Sequence, residues 1–522
     1  MRGITARPKE PAWLYGLAGA LMLGGPIWRE LYVFYYPTRP EIIVLPLVGG
    51  MVGALAAVSS RLVGGLMGGL GFGALLFVFV DLQFDLERYT YTAAILAMCV
   101  LVAALLTRHR AAMTAMALGA FYLSSLVRTT PPLRITAGAP VPSSGPVLVH
   151  IILDEQWGVG GMRADRDSAI ADFMTAFYLD RGLEVFEGAY SRYEFTEQSV
   201  PIAFSLGQAP RFNPGKPTPP GGPYWRSLRH TPYLERLREL GYDLRVFQST
   251  YLDFCSGVDV PVADCDVQSA NSIANIGFVG GSWITRGLWA ARYFLSTRSH
   301  VYAKLTPETT TWRRSGATGG IAEMQRLASV LAAGRPTRTA YLVHVLLPHR
   351  PIQVDAECRV LSDASKHTDY EYPKQPSDSL WRAAVFAYSG QVRCTHRMLG
   401  QVIDAVDSTV GRDNSIVIVH GDHGSRMRPR NLDREALDAY SPTELNAIFS
   451  TLFAVRRPHV AAALHQYPVP VQDAIWEFAR SGFADSLSRR WQHAVRSRPD
   501  SLGKESVRPL TTTDMLWVRR EN

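Results

Sequence analysis

The sequence predicts an α/β domain built on a mostly parallel sheet, preceded by a helical N-terminal region apolar enough to lie in a bilayer. The first 128 residues hold long apolar runs, whereas the remainder reads as an ordinary soluble mixture. Past that point short, continuously apolar runs alternate with helical ones, the pattern of a parallel sheet covered on both faces. Two of those runs end in reactive turns. Val147–Leu153 is followed by Asp154-Glu155, and Ser415–Val419 by His420 and Gly421-Asp422-His423-Gly424. Ligands of open α/β sheets gather outside the carboxyl ends of the strands, so both turns face one crevice.

With 522 residues the chain exceeds one ordinary domain. We divide it into a transmembrane region (1–128), a linker rich in Pro, Gly, Ser and Ala (129–146), a strand-and-helix domain (147–454) and a C-terminal extension packed on or near it (455–522). Five segments are expected to cross a membrane: Trp13–Trp28 with an extension to Tyr36, Ile42–Ser59, Leu62–Val80, Tyr91–Thr107 and Ala111–Val127. The turn at Arg61 is so short that the second and third form a hairpin. A cleaved signal peptide fits poorly, because further spans follow directly. Arg2, Arg7, Lys9, Arg61, Arg108 and Arg110 fall on one side, and the acidic loop with Asp81, Asp85 and Glu87 on the other. The positive-inside rule then puts everything after Arg128 outside the cytoplasm.

The formal charge of +8 comes from 54 Lys and Arg against 46 Asp and Glu. These are scattered, with no basic stripe and no nucleic-acid motif, so anionic lipid headgroups or acidic substrates are the expected partners rather than nucleic acid. Of five cysteines, Cys99 sits in a span as a small apolar filler. Cys255, Cys265, Cys358 and Cys394 fall where an oxidising compartment permits two disulfides. Three connectivities are open; the short loop from Cys255 to Cys265 makes that pair natural and leaves Cys358 with Cys394.

In the domain itself, Val147–Leu153 leads to a helix over Ser168–Asp180 and a strand at Leu183–Phe186. A helix over Tyr233–Leu240 stops at Gly241, and a strand follows at Tyr242–Gln248. Thr339–Leu347 is an apolar strand ending in Pro348-His349. Ser379–Val406 is a long helix feeding Ser415–Val419. In the tail, Gln472–Arg480 and Ser486–Arg496 read as helices with a packing or membrane-surface role.

Carboxylate with imidazole is a ligand set for one divalent metal, zinc or manganese. The stretch Tyr193-Glu-Phe-Thr196-Glu-Gln-Ser199-Val-Pro201 offers a hydroxyl at a helix start, where the dipole and free N–H groups favour an anion. Alone, Thr196 or Ser199 would be read as a cap. Beside Glu155 and Asp422-His423, a hydroxyl of this stretch, Thr196 or Ser199, reads instead as a nucleophile activated by a metal. His344, within its strand, reads as a core histidine. His349, after the strand, is placed to bond a phosphoryl oxygen or protonate a leaving alkoxide, and Arg350 suits bidentate phosphate contact.

Together Asp154-Glu155, Tyr193-x-x-Thr196-x-x-Ser199, Leu347-Pro348-His349-x-Pro351 and Gly421-Asp422-His423-Gly424 resemble the sulfatase-type branch of the alkaline phosphatase superfamily. Within it the chain is most similar to membrane-anchored lipoteichoic acid synthases and lipid A phosphoethanolamine transferases, which carry five N-terminal spans and an extracytoplasmic catalytic domain. The resemblance implies that Glu155, Thr196, Asp422 and His423 bind the metal, that Thr196 forms a phospho-threonine, and that His349 contacts substrate; Asp154 is a further candidate ligand. It implies transfer of a phospholipid headgroup (phosphoglycerol or phosphoethanolamine) to a glycan or lipid acceptor at a bacterial inner membrane. The Cys/Ser-x-Pro-x-Arg signature of true sulfatases is absent: Ser199 precedes Pro201, but Ala203 stands at the Arg position. The alternatives are an ester hydrolase that uses water, and a metal-binding membrane protein without turnover. A transporter fits poorly, since the spans hold few ionisable residues.

Overall fold

The computed structural model describes residues 10–34, 40–84, 98–99, 110–127, 145–165, 168–206, 211–212, 226–249, 251–255, 258–268, 316–334, 338–350, 352–359, 361, 378–425, 427, 437–496 and 506–518, with single positions between 291 and 302. It divides into two compact units: Met1–Pro131 with Ser272–Arg313, and Pro132–Asn271 with Arg314–Asn522.

The first unit holds helices α1 (Ala12–Phe34), α2 (Pro40–Val63), α3 (Gly65–Phe84) and α4 (Arg110–Val127). Small residues let α1 and α2 approach backbone to backbone, the habit of helices that pack in lipid. A Cβ at Gly19 would lie 2.1 Å from the Gly53 carbonyl oxygen. The Glu10 carboxylate accepts from the first amides of α4, Ala111 (3.2 Å) and Ala112 (3.1 Å), and so caps that helix. Among the described residues one stretch, Ile43–Val63, is long and apolar enough to cross a membrane; Met67–Gln83 and Ala111–Tyr122 are apolar but shorter. Ile43, Leu47, Met51 and Leu55, each four residues apart on α2, are exposed and form an outward apolar stripe. The turn expected at Arg61 comes three residues later. Gly64 (φ 65°) and Gly65 (φ 54°) supply the left-handed backbone, so α2 runs on to Val63. The expected span Tyr91–Thr107, apart from Met98 and Cys99, and the linker 129–146, apart from Gly145 and Pro146, lie outside the described residues.

In the second unit eight strands form one mixed sheet: β1 (Val147–Leu153), β2 (Glu184–Tyr190), β3 (Asp243–Ser249), β4 (Asp264–Gln268), β5 (Thr339–Val345), β6 (Ser415–Gly421), β7 (Phe453–Arg456) and β8 (Ala463–Pro470). Their order across the sheet is β8-β2-β7-β6-β1-β5-β3-β4. All pairings are parallel except the two made by β7, which runs against β2 and β6. β1, β5 and β6 are buried along their whole length, as helices on both faces require, which is why they read as unbroken apolar runs. The register sets Leu153 level with Val345 on one side and Gly421 on the other. Three loops therefore leave the sheet side by side.

The helices that matter for the site are α5 (Ser168–Asp180), α6 (Thr196–Phe204), α7 (Pro232–Glu239), α8 (Gly316–Ala333) and α9 (Asp378–Thr409), with α10 (Val471–Arg480) following β8. Two expectations for the tail change. The boundary at 454 cuts through the sheet, since β7 ends at Arg456 and β8 adds an edge strand beside β2. No helix spans Ser486–Arg496: Arg489 takes a positive φ (58°), which a helix does not tolerate, and Ala494–Arg496 pairs with Val507–Pro509 instead. The disulfides join Cys255 to Cys265 and Cys358 to Cys394; Cys99 is free and buried.

His396 on α9 illustrates how tightly this unit closes. Its ring lies between Phe173, Phe177 and Tyr178 of α5, with centroids 5.0–5.6 Å away, and its Nδ1–H donates to the Val392 carbonyl at 2.8 Å. Burial pushes its pKa down to about 4. An unfolded histidine binds its proton near pH 6.5, so the unfolded chain takes up more protons as pH falls. The stability held above pH 6.5 is thus lost as pH drops toward 4, by about 3 kcal/mol for this one group. His396→Gln removes the titration, and urea unfolding of the full chain at pH 7 and pH 4 should show the loss shrink by about that amount.

Candidate active site

Asp154, the first residue past β1, donates its amide to the Val345 carbonyl (3.1 Å), which ties the turn to the end of β5. Glu155 follows with φ 59°, a left-handed conformation that a non-glycine residue adopts only when its surroundings hold it there. Its amide donates to Asp422 Oδ1 (2.9 Å) and its carbonyl accepts from the Tyr388 hydroxyl (2.6 Å). The consequence is directional. Both Glu155 carboxylate oxygens meet Arg350, with Nε at 3.0 Å and Nη2 at 3.1 Å, while the Asp154 carboxylate points into the crevice.

At the end of β6, Asp422 Oδ1 accepts from the amides of Glu155 (2.9 Å) and His423 (2.8 Å). His423 Nδ1–H donates to the Gly424 carbonyl (2.8 Å), which leaves the Nε2 lone pair facing inward. This turn needs its first glycine: a Cβ at Gly421 would lie 2.2 Å from Thr451 Oγ and 2.6 Å from the Gln156 carbonyl oxygen.

Thr196 opens α6. Its hydroxyl lies 3.4 Å from Asp154 Oδ2 and 3.3 Å from His423 Nε2. Asp154, Asp422 and His423 are fully buried, and one ligand atom from each falls within 4.8 Å of the others. Burial and the charge of Asp154 push the Asp422 carboxyl well above its usual range. Burial acts the same way on Asp154, but His349, His344 and His423 outweigh it and hold that carboxyl below its usual range. Among the described residues Asp422 Oδ2 accepts no well-formed hydrogen bond, and it faces His423 Nε2 at 3.2 Å. Two buried carboxyls, an imidazole lone pair and a hydroxyl around one point are a donor set that fits a divalent cation.

The expected site residues thus come together with one exchange. Thr196, Asp422 and His423 converge as expected, and the carboxylate beside them is Asp154, not Glu155, whose two oxygens are taken by Arg350. His349 stands at the rim, half-buried, with Nε2 3.6 Å from Glu155 Oε1 and 3.9 Å from Asp154 Oδ1. Arg350 is held in the ion pair with Glu155. Ser199 is buried on α6, its hydroxyl without a hydrogen-bond partner among the described residues. His344, expected in the core, is buried there and also reaches Asp154 Oδ2 (3.4 Å). Tyr388 was not anticipated; the signal for it was a polar-tipped residue on the inner face of a long helix.

The family model described as Sulfatase matches residues 146–470. The chain belongs to the sulfatase family. It is accordingly an enzyme of phosphoryl or sulfuryl ester chemistry, by transfer or hydrolysis, in a family that works with a divalent metal. No curated protein sequence matches the chain. Among solved structures it is similar to an enzyme of glycosaminoglycan metabolism from Bacteroides thetaiotaomicron, at 14% identity over 70% of this chain and 84% of that one, TM-score 0.40. The C-terminal periplasmic domain of EcEptC from Escherichia coli aligns at 10% identity over 70% and 93%, TM-score 0.37. An alkaline phosphatase superfamily protein from Vibrio parahaemolyticus aligns at 14% over 73% and 86%, TM-score 0.35. The family assignment rests on the sequence match.

The geometry separates the two neighbouring acids. Asp154→Asn should lower the affinity for Mn2+ or Zn2+ by more than about 100-fold, whereas Glu155→Gln should lower it by about tenfold at most, the scale of a residue that orients a ligand. Isothermal titration of the two variants decides between them.

Proposed function

We propose that this enzyme transfers a phospholipid-derived phospho-headgroup, of the phosphoglycerol or phosphoethanolamine type, to a glycan or lipid acceptor through a phospho-threonine at Thr196. The observation that carries this reading is the Thr196 hydroxyl at the head of α6, within 3.5 Å of both Asp154 and His423. A threonine in that place, together with Ala203 where formylglycine enzymes need Arg, favours a phosphoryl ester over a sulfate ester.

Asp154, Asp422, His423 and Thr196 are the residues we assign to the metal. When bound, a divalent ion there supplies a Lewis acid that makes a hydroxyl more acidic and offsets charge on a phosphoryl group. Thr196 Oγ attacks phosphorus and passes its proton to the Asp154 carboxylate. The bond from phosphorus to the diacylglycerol oxygen breaks, and that oxygen takes a proton from His349 Nε2. In the second half the acceptor hydroxyl returns a proton to His349 and attacks phosphorus, while Thr196 Oγ leaves and regains its proton from Asp154. The α6 N-terminus favours the phosphoryl group throughout, through its dipole.

We read the first unit as a multi-pass membrane anchor of five spans, with the catalytic domain on the outer, periplasmic side. The exposed apolar stripe on α2 supports immersion in lipid, since water would leave it unpaired with any apolar surface. The Asp81 carboxylate, near the end of α3, accepts from the Ser299 hydroxyl at 2.5 Å. That contact joins the proposed outer end of α3 to a segment expected outside the membrane. Such an anchor raises the effective concentration of the lipid donor.

Intact-mass spectrometry of the detergent-purified chain, after incubation with Mn2+ or Zn2+ and vesicles of phosphatidylethanolamine and phosphatidylglycerol, tests the reading. A headgroup adduct should appear on the wild type and be absent from Thr196→Ala, with turnover in that variant reduced by at least about 1,000-fold. Full turnover in Thr196→Ala would sink the proposal. Headgroup release without any acceptor would identify a hydrolase.

A further inference from the structure

Helix α9 touches both loops that carry the assigned chemistry, and it does so from one face. Tyr388, Gln391, Cys394 and Thr395 lie three, six and seven residues along, which stacks them on one side of the helix. Tyr388 is fully buried; its hydroxyl donates to the Glu155 carbonyl (2.6 Å) and accepts from the Trp157 amide (2.9 Å), so it grips the turn after β1 on both sides. One turn on, the fully buried Gln391 grips the loop after β5. Its Nε2 donates to the carbonyls of Pro348 and His349, both at 2.9 Å. Its Oε1 accepts from the amides of Gln353 (2.8 Å) and Val354 (3.3 Å). A primary amide has two donors and two lone pairs, so Gln391 spends all four on the segment that presents His349 and Arg350. Cys394, the next position along, is bonded covalently to Cys358 at the far end of the same loop. Arg350 closes the circuit by pairing with Glu155 across the two loops.

We propose that α9 is a positioning element, with Tyr388 and Gln391 fixing the mutual placement of the Asp154 turn and the His349 loop. Neither side chain reaches the reacting atoms; each acts through the backbone it holds. This rests on the roles assigned above to Asp154 and His349. The two grips are separable, because one bears on the metal-facing turn and the other on the rim.

The test uses the full chain in detergent, phosphatidylethanolamine–phosphatidylglycerol vesicles as substrate and Mn2+ titration as a second readout. Gln391→Met should lower kcat/KM roughly 10–100-fold with metal affinity unchanged, and Tyr388→Phe should lower metal affinity about tenfold. Wild-type metal affinity also reports that the Gln391 variant is folded. Should Gln391→Met fail to fold, Gln391→Glu keeps the acceptors for Gln353 and Val354 and exchanges the donors to Pro348 and His349 for an oxygen that repels those carbonyls; it should show the same selective loss. Because Gln391 acts through His349, adding Gln391→Met to His349→Ala should change kcat/KM by less than about twofold. Losses that multiply in the double variant, or a folded Gln391→Met with wild-type turnover, would overturn the positioning role while leaving that of His349 standing. If His349→Ala alone keeps full turnover, the assigned chemistry fails and the positioning role fails with it.

Discussion

Asp154 and Asp422 bring two carboxyl groups into one buried crevice, and much of the surrounding architecture follows from the electrostatic penalty of doing so. Removing a single charge from water costs several kcal/mol, and like charges side by side raise that further. The protein divides the problem unequally. Asp154 is surrounded by His344, His349 and His423, whose fields hold its carboxyl below the usual range, while Asp422 has two amide donors on one oxygen and, among the described residues, none that are well formed on the other. Burial beside Asp154 consequently pushes the Asp422 carboxyl well above its usual range, which disfavours a second negative charge there. A site that resists filling with two anions is one that favours a divalent ion when it does ionise.

The convergence that creates this pair is a property of the sheet. Because Leu153, Val345 and Gly421 stand level, the loops after β1, β5 and β6 emerge together, and each contributes one part: a carboxylate, an imidazole at the rim, and the Asp-His turn. α6 then adds Thr196 from outside the sheet. Strand register is fixed by burial on both faces, since slipping one residue would turn every side chain to the opposite face. The placement of the three strand-end groups is thus set by the most buried, least deformable part of the domain, and Thr196 is brought to them by α6.

This explains what could and could not be read in the sequence. The apolar runs of β1, β5 and β6 and the reactive turns behind them were legible, because continuous burial writes itself as Val, Ile and Leu, and strand ends locate the crevice. The direction of the acids was not. Glu155 takes φ 59°, and its partner Arg350 lies 195 residues away, so nothing local tells which of two adjacent carboxylates faces inward. The edge strand β8 was missed for a related reason, since half-buried residues such as those of Ala463–Pro470 lack the composition of a central strand, and the antiparallel β7, though fully buried, is only four residues long. The Ser486–Arg496 segment had helical spacing, but the backbone reverses at Arg489 and the chain pairs as a hairpin.

The burial pattern also bears on the order of events. Thr196, Asp154, Asp422 and His423 are at most 3% exposed, whereas the side chains of His349 and Arg350 are 24% and 20% exposed. Among the described residues, solvent therefore approaches the crevice on the side of the His349 loop. On the proposed reading, the departing diacylglycerol and the incoming acceptor hydroxyl both exchange a proton with His349, so both must use that one approach. On that reading they use it in turn. A covalent phospho-threonine makes this possible, since it stores the phosphoryl group on α6 while one alcohol leaves and the next arrives. Ping-pong kinetics would then be a consequence of a crevice that, among the described residues, opens on the His349 side, and the α9 contacts behind His349 would serve to present the same imidazole in the same place to two chemically different alcohols.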